Sequence, residues 1–210
     1  MSELQDWKGV YDFWFPPGLD EAGPEKHRQM FMRWFAGGAN ADVARFAAIV
    51  AAAKAGGLES WLATPRGRLS LIIVLDQFPR TLFAGTPEAY ACDPAALAIA
   101  EEGLRNGHYE ALSKPWEKTF ALLPLAHAEG PDHRDRLRRS VALTGEIARE
   151  APQSLQALYQ HSVSQSRGHL DVIIRFGRYP HRNPVLGRVS TIEERAYLKK
   201  GDFVHNRRPP

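Results

Sequence analysis

The stretch Leu69–Arg80, with the sequence LSLIIVLDQFPR, decides the fold of this chain. Six apolar side chains fill the seven positions from Leu69 to Leu75, and the run ends directly in Asp76. A carboxylate at the edge of a core raises the free energy of the folded state unless it is paired or hydrogen-bonded. We therefore expect Asp76 to meet a cation, and Arg80, Arg175 and Arg178 are the candidates.

The secondary structure of this stretch has two readings, because a short apolar run fits a buried strand or a buried helix. We predict a helix, since the neighbouring segments carry helical patterns and no glycine-rich turn follows. One or two isolated strands would also leave unpaired edges, which soluble domains avoid. Pro79 is predicted to end the helix near Gln77 and to leave Phe78 outside it.

The rest of the chain shows helical spacing and helix end signals. Residues Val43, Phe46, Ala47 and Val50 recur at i, i+3, i+4 and i+7. The pair Asp93-Pro94 reads as a capping residue followed by a helix-starting proline, and Thr191 with Glu194 fits a capping box. These patterns predict about nine helices, near residues 4–15, 24–36, 42–55, 69–77, 93–106, 115–124, 132–150, 153–176 and 191–200.

Short connections between so many helices predict an all-α array of antiparallel helix pairs. The prolines of Phe78-Pro79 and Tyr179-Pro180 lie 101 positions apart. This spacing is close to three of the ~34-residue periods of tetratricopeptide repeats, although the W-x-x-L-G signature of that repeat is absent. We predict one all-helical domain over residues 1–201 and a basic, flexible tail over residues 202–210.

Composition narrows the function classes. The formal net charge of +3 is small, and acidic residues interleave with the arginines of residues 132–139, which argues against nucleic acid as a partner. Cys92 is the single cysteine, so an internal disulfide and a C-x-x-C site are excluded. No apolar run approaches the ~20 residues of a membrane span, and the N-terminus lacks signal-peptide features. We expect a cytoplasmic protein that binds no membrane, with homo-oligomerisation left open.

Five basic side chains crowd fourteen positions near the end of the chain: Arg175, Arg178, His181, Arg182 and Arg188. Arginine forks bind carboxylates and phosphates, although the same side chains also serve helix ends and ion pairs such as Asp171 with Arg175. Our first hypothesis is a binding protein with a polar pocket for a small anion or an acidic peptide. Its predicted ligand-binding residues are Asp76, Arg80, Arg175, Arg178, His181 and Arg182.

The alternative hypothesis is a metal-independent hydrolase or transferase that uses the same pocket. In it His127 or His181 acts as general base and is oriented by Asp76 or Glu129, while the arginines stabilise developing negative charge. We predict no metal and no cofactor. His127 with Glu129, and His169 with Asp171, lie two positions apart and would face different directions on a helix. No H-E-x-x-H, P-loop, G-x-G-x-x-G or G-x-S-x-G pattern occurs.

Four segments carry a family resemblance: residues 10–15 (VYDFWF), 71–87 (LIIVLDQFPRTLFAGTP), 123–129 (LPLAHAE) and 175–183 (RFGRYPHRN). They resemble a widespread, mainly bacterial family known as a domain of unknown function. The resemblance implies a tetratricopeptide-like helical fold and brings no reaction with it. Where the last helix of that family usually opens with Ser-Thr-Pro-Glu-Glu, this chain has Ile192 in place of the proline.

Overall fold

The protein is all-helical in the computed structural model, which describes residues 6–201. No strand occurs within these residues, so the all-α prediction is confirmed. The eleven α-helices are α1 Lys8–Trp14, α2 Pro24–Phe35, α3 Asn40–Val43, α4 Ala47–Lys54, α5 Pro65–Asp76, α6 Phe78–Leu82, α7 Asp93–Arg105, α8 Pro115–His127, α9 His133–Glu150, α10 Gln156–Phe176 and α11 Ile192–Lys200.

The helix count agrees with the prediction once neighbouring segments are combined. The 3₁₀ turn Ala44–Phe46 joins α3 to α4, and Gln77 alone separates α5 from α6. Counting each of these pairs as one unit gives nine helical units over residues 6–201. The tetratricopeptide-like arrangement remains a prediction, and the predicted flexible tail, residues 202–210, lies outside the described residues.

Helix α5 is the centre of the molecule. Thr64 caps it by accepting a hydrogen bond from the Gly67 amide at 3.1 Å, and Pro65 occupies its first position. Every residue from Gly67 to Asp76 is buried, and α5 packs against α1, α4, α7 and α8. A helix that is apolar all round must be covered on every side, which is why the other helices surround this one.

The predicted ends of two helices need correction. Phe78 is not outside a helix, because it begins α6 and Pro79 sits in the first turn, where its missing N–H costs nothing. The Phe78 ring thereby returns to the core, 5.6 Å from the ring of Trp14 between centroids. Helix α8 continues beyond the predicted end near residue 124 and reaches His127, with Pro124 inside the helix.

Two apolar clusters support the structure. The larger one surrounds α5, and the smaller one lies where α8, α9, α10 and the loop after α10 meet. The buried members of the smaller cluster are Ala126, Leu137, Val172, Ile173 and Tyr179. The C-terminal end of α8 therefore has packing partners of its own. No helix among the described residues is both long enough and apolar enough to cross a bilayer.

Candidate functional site

Asp76 occupies the last position of α5 and has no solvent-exposed surface. The ring Nδ1 of His127, the last residue of α8, lies 2.9 Å and 2.8 Å from its two carboxylate oxygens. The side-chain amide of Gln77 also donates to Asp76, and Arg80 Nη1 lies 3.6 Å from Oδ1. The carboxylate that ends the central helix is thus held by a ring, an amide and a guanidinium.

These neighbours decide the charge on Asp76 and the tautomer of His127. Burial alone would raise the pKa of the Asp76 carboxyl, but Arg80 and His127 more than offset this effect and hold that pKa below its ordinary value. An ionised carboxylate only accepts hydrogen bonds. The Nδ1 of His127 therefore carries the proton, and in the neutral ring the lone pair lies on Nε2.

Arg80 also connects Asp76 to a second carboxylate. Its Nη2 lies 2.9 Å from Oδ1 of Asp93, and Nη1 of Arg182 lies 3.1 Å from the other oxygen, Oδ2. Burial and the nearby Asp76 charge raise the pKa of the Asp93 carboxyl against the opposing effect of the two arginines. A chain of alternating charges thus runs from Asp76 through Arg80 and Asp93 to Arg182, and the His127 ring contacts its Asp76 end.

The role of Asp93 corrects the prediction that it caps α7. Cys92 occupies the capping position, Asp93 is the first helical residue, and no side-chain capping bond is made. The Asp93 side chain is instead used by Arg80 and Arg182. An Asp-Pro pair at a helix start has the same sequence whether the aspartate caps the helix or pairs with a distant arginine. The pattern therefore does not predict this ion pair.

Arg182 is buried between two tyrosines. Its guanidinium carbon lies 4.4 Å from the ring centroid of Tyr90 and 4.7 Å from that of Tyr179. Contacts of this kind stabilise a cation over an aromatic face. Only 4% of Arg182 is exposed, so its charge is matched inside the protein, by Asp93.

The end of α8 that carries His127 is fixed by side chains bound to its carbonyl groups. The Ala126 carbonyl accepts from the Tyr179 hydroxyl at 2.6 Å and from Nε2 of His133 at 2.8 Å. Arg136 donates to the carbonyls of Leu125 and Ala128. The last carbonyls of a helix lack partners within the helix. Their capture by buried side chains holds the backbone of His127 in one position.

His127 also lines a cleft of about 160 Å³ between α2, α8, α9 and α10. Its side chain is 17% exposed, and no hydrogen bond is made to its Nε2 by residues 6–201. The arrangement presents one imidazole nitrogen to a cavity while the other nitrogen is held by a buried carboxylate. Such an imidazole can accept a proton from a bound molecule and pass it on.

Of the predicted site residues, the structure brings Asp76, Arg80, Arg182 and His127 into one connected cluster. Arg175 and Arg178 are not part of it. Arg175 is exposed, and its guanidinium lies 4.7 Å from the ring of its neighbour Phe176. Arg178 pairs with Glu194 at 2.7 Å, and no ion pair joins Asp171 to Arg175 within the described part of the chain.

His181 and Glu129 have other surroundings as well. The His181 ring packs 5.6 Å from that of Tyr179. Glu129 accepts from the backbone amide of Tyr179 at 2.7 Å and pairs with Arg188. Burial would raise the pKa of the Glu129 carboxyl, but Arg188 and the Tyr179 amide lower it overall. Of the two carboxylates considered as orienters of His127, Asp76 is the one that contacts it.

Several functional residues were missed from the sequence. Asp93 has the sequence pattern of a helix cap, and nothing in the sequence near Tyr90 or Gln77 indicates that they lie beside Arg182 and Asp76. Phe31 and Phe35 line the cleft, but their helical spacing is equally typical of core residues. No group of three or more His, Cys, Asp or Glu side chains among residues 6–201 is placed to hold a metal ion.

The fold and the site define an all-α protein in which a buried carboxylate holds an imidazole at the edge of a cleft. The chain belongs to the family described as "Bacterial protein of unknown function (DUF924)", whose model matches residues 10–202. The family resemblance noted from the sequence is thereby confirmed.

A solved structure of a protein of unknown function from Agrobacterium tumefaciens, ATU0120, is similar to this chain. The two are 35% identical, the TM-score is 0.71, and the match covers 93% of this chain and 97% of the other. No curated protein matches the chain.

Proposed function

We propose that the protein is a metal-independent acid–base enzyme, a hydrolase or transferase, in which His127 is the general base and Asp76 orients it. One observation carries the proposal: Nδ1 of His127 contacts the buried Asp76 carboxylate at 2.8 Å, while the same side chain lines the cleft. A positioned imidazole of this kind contributes about 10²- to 10⁴-fold to the rate of a proton-transfer reaction.

The proposed step for a hydrolase uses water. Nε2 of His127 removes a proton from a water molecule in the cleft while the water oxygen bonds to the carbonyl carbon of the substrate and the carbonyl π electrons move onto the carbonyl oxygen. The resulting imidazolium is stabilised by the Asp76 carboxylate. It then returns the proton to the leaving group as the oxyanion re-forms the carbonyl and the bond to that group breaks, which leaves the acid as the second product. In a transferase the hydroxyl of an acceptor molecule takes the place of water, and the proton balance is the same.

The surroundings of Asp76 support this assignment. An ionised carboxylate with no exposed surface keeps His127 in the tautomer with a bare Nε2, and the pinned end of α8 fixes the ring position. A base that is pre-positioned in this way avoids reorganisation during the reaction. Arg80 lowers the pKa of Asp76 and keeps it ionised, so the carboxylate remains a hydrogen-bond acceptor for the His127 ring.

The second candidate is the anion-binding or acidic-peptide-binding protein predicted from the arginines. It has less support, because Arg80 and Arg182 are already matched by Asp76 and Asp93, and Arg178 is matched by Glu194. An anion would have to displace buried carboxylates at a considerable cost. The exposed Arg175 favours this candidate, since its charge faces solvent.

The proposed acid–base enzyme can be tested by a hydrolysis screen with p-nitrophenyl esters and p-nitroanilides whose acyl groups carry no charge. We expect the wild type to hydrolyse at least one member, and His127→Ala to lower kcat/KM by roughly 10²-fold or more. The control is His108→Asn, which removes a histidine that contacts Arg68 outside the cleft and leaves the rate unchanged. Equal rates for His127→Ala and the wild type across the substrates that are cleaved would contradict the proposal.

A further inference from the structure

The described residues that line the cleft include no Lys, Arg, Asp or Glu. The ionisable side chains among them are the three histidines His127, His161 and His169. This is unusual next to a cluster of four charged side chains. None of the side chains of Asp76, Arg80, Asp93 and Arg182 lines the cleft, so they provide no counter-charge for a ligand bound there.

The two sides of the cleft differ in polarity. Helices α2 and α8 contribute apolar groups, among them Phe31, Phe35 and Leu122. Helices α9 and α10 contribute hydroxyl groups, among them Ser140, Thr144 and Ser166. The Thr144 hydroxyl donates to the Ser140 carbonyl at 2.8 Å and can still accept a hydrogen bond, whereas a serine hydroxyl can both donate and accept. This side therefore suits neutral polar groups.

Phe35 is the unusual member of the apolar side. It is 42% exposed, one of four large hydrophobic residues this exposed within residues 6–201. Its ring stacks on the buried Phe120 at 5.5 Å with an interplanar angle of 2°. An aromatic ring that is rigidly held and still partly open to solvent at a cleft is a surface on which an apolar group can stack.

Size and charge together define the ligand. A cavity of about 150 Å³ lined by apolar side chains holds a benzene ring, and this cleft measures about 160 Å³. A charged ligand would leave water without meeting a Lys, Arg, Asp or Glu side chain among the described lining residues, which is unfavourable. We propose that the cleft binds an uncharged small molecule that carries an apolar group of about benzene size next to an ester or amide carbonyl.

The carbonyl of such a ligand would lie against the polar side of the cleft, with its apolar group on Phe31 and Phe35. The position of the carbonyl relative to His127 rests on the proposed function. The preference for an uncharged ligand does not, because it follows from the wall residues alone. The general-base role of His127 and the preference of the cleft for an uncharged ligand can therefore be refuted independently.

The test is a binding titration at pH 8 with three probes of similar shape: benzamide, benzoate and benzylammonium. Chemical-shift changes in ¹H–¹⁵N spectra report both the affinity and the place of binding. We expect benzamide to shift signals of the cleft residues and to bind roughly ten-fold or more tightly than either charged probe. Benzoate or benzylammonium binding as tightly as benzamide would overturn the inference, and so would benzamide shifts confined to other surfaces.

Variants assign the binding to this cleft. Phe35→Ala should weaken benzamide several-fold, whereas Val189→Ala, which shortens an exposed apolar side chain outside the cleft, should not. If Phe35→Ala binds benzamide as the wild type does, the inference is overturned. His127→Ala should keep most of the affinity for benzamide and lose hydrolysis. Retained hydrolysis in His127→Ala would refute the proposed function and leave the ligand class standing.

Discussion

Arg182 and Asp93 form a buried ion pair, 3.1 Å between Nη1 and Oδ2, which joins the loop after α10 to the start of α7. The same carboxylate contacts Arg80, four residues beyond Asp76. Two segments about a hundred positions apart in the chain therefore meet around Asp93. Asp93 and its two arginines therefore connect these segments to Asp76, the carboxylate that contacts His127.

The first prediction compares Arg182 with Arg175. Arg182→Ala leaves part of a buried charge unmatched, so we expect it to lower the free energy of unfolding by about 3 kcal/mol or more. Arg175→Ala removes an exposed arginine and should change that free energy by less than about 0.5 kcal/mol. Urea denaturation of both variants measures the difference. Equal losses would mean that the ion pair with Asp93 contributes nothing particular.

The sequence predicted that Asp76 requires a cation, but it identified only some of the residues that surround this carboxylate. A carboxylate after six apolar residues required a cation, and Arg80 at i+4 was within reach. Arg182 and Arg175 are the same residue type in the same short segment, so composition could not separate them. The separation arises because Arg175 lies on the exposed side of α10, whereas Pro180 and a 3₁₀ turn direct Arg182 inward.

The pairing of His127 with Asp76 was one of several options in the sequence. The two residues are separated by 51 positions and end different helices, so no local pattern links them. Glu129 lies two positions from His127 in the sequence and was an equally good candidate for orienting its ring. Only the packing of α8 against α5 shows that Asp76 has this place. A polar pocket was predicted, but its aromatic wall was not, because helical spacing does not distinguish aromatic rings that face a core from those that face a cavity.

The second prediction concerns Asp76 as a positioning residue. Asp76→Asn removes the charge that matches Arg80 and that selects the His127 tautomer. We expect stability to fall by about 3 kcal/mol, and kcat to fall while KM changes little. The pH dependence of kcat should also shift, which a purely structural loss would not cause. Asp171→Asn, an exposed carboxylate on α10, is the control and should leave stability, kcat and the pH profile unchanged.

The third prediction uses His133, which is buried and donates to the Ala126 carbonyl. Burial lowers the pKa of His133 to about 4, below the value of about 6.5 for an unfolded chain. The unfolded state therefore binds more protons between these values, and stability falls as the pH drops from about 6.5 towards 4. The contribution of this residue is of the order of 2 to 3 kcal/mol.

His133→Gln provides the measurement for this effect. Glutamine retains an N–H donor for the Ala126 carbonyl but does not titrate. The unfolding free energy of the wild type should decrease more steeply than that of the variant between pH 7 and pH 5. Parallel pH profiles for the two proteins would show that His133 is not the titrating group.

The fourth prediction tests how closely α5 is packed. A Cβ at Gly67 would lie 2.3 Å from the Trp61 carbonyl oxygen, so Gly67→Ala should destabilise the protein by about 2 kcal/mol or more. A Cβ at Gly9, within α1, would meet no atom within 4 Å, and Gly9→Ala should stabilise by about 0.5 to 1 kcal/mol. Thermal unfolding of the two variants should therefore shift in opposite directions. A Gly67→Ala variant as stable as the wild type would contradict the close packing at Gly67.

The most direct test of the central claim is the protonation state of the His127 ring, read from long-range ¹H–¹⁵N NMR correlations in the wild type and in Asp76→Asn. We predict that neutral His127 carries its proton on Nδ1 in the wild type, with Nε2 bare and responsive to molecules in the cleft. Asp76→Asn should lose this preference. A wild-type ring protonated on Nε2, or a tautomer that is unchanged in Asp76→Asn, would contradict the account.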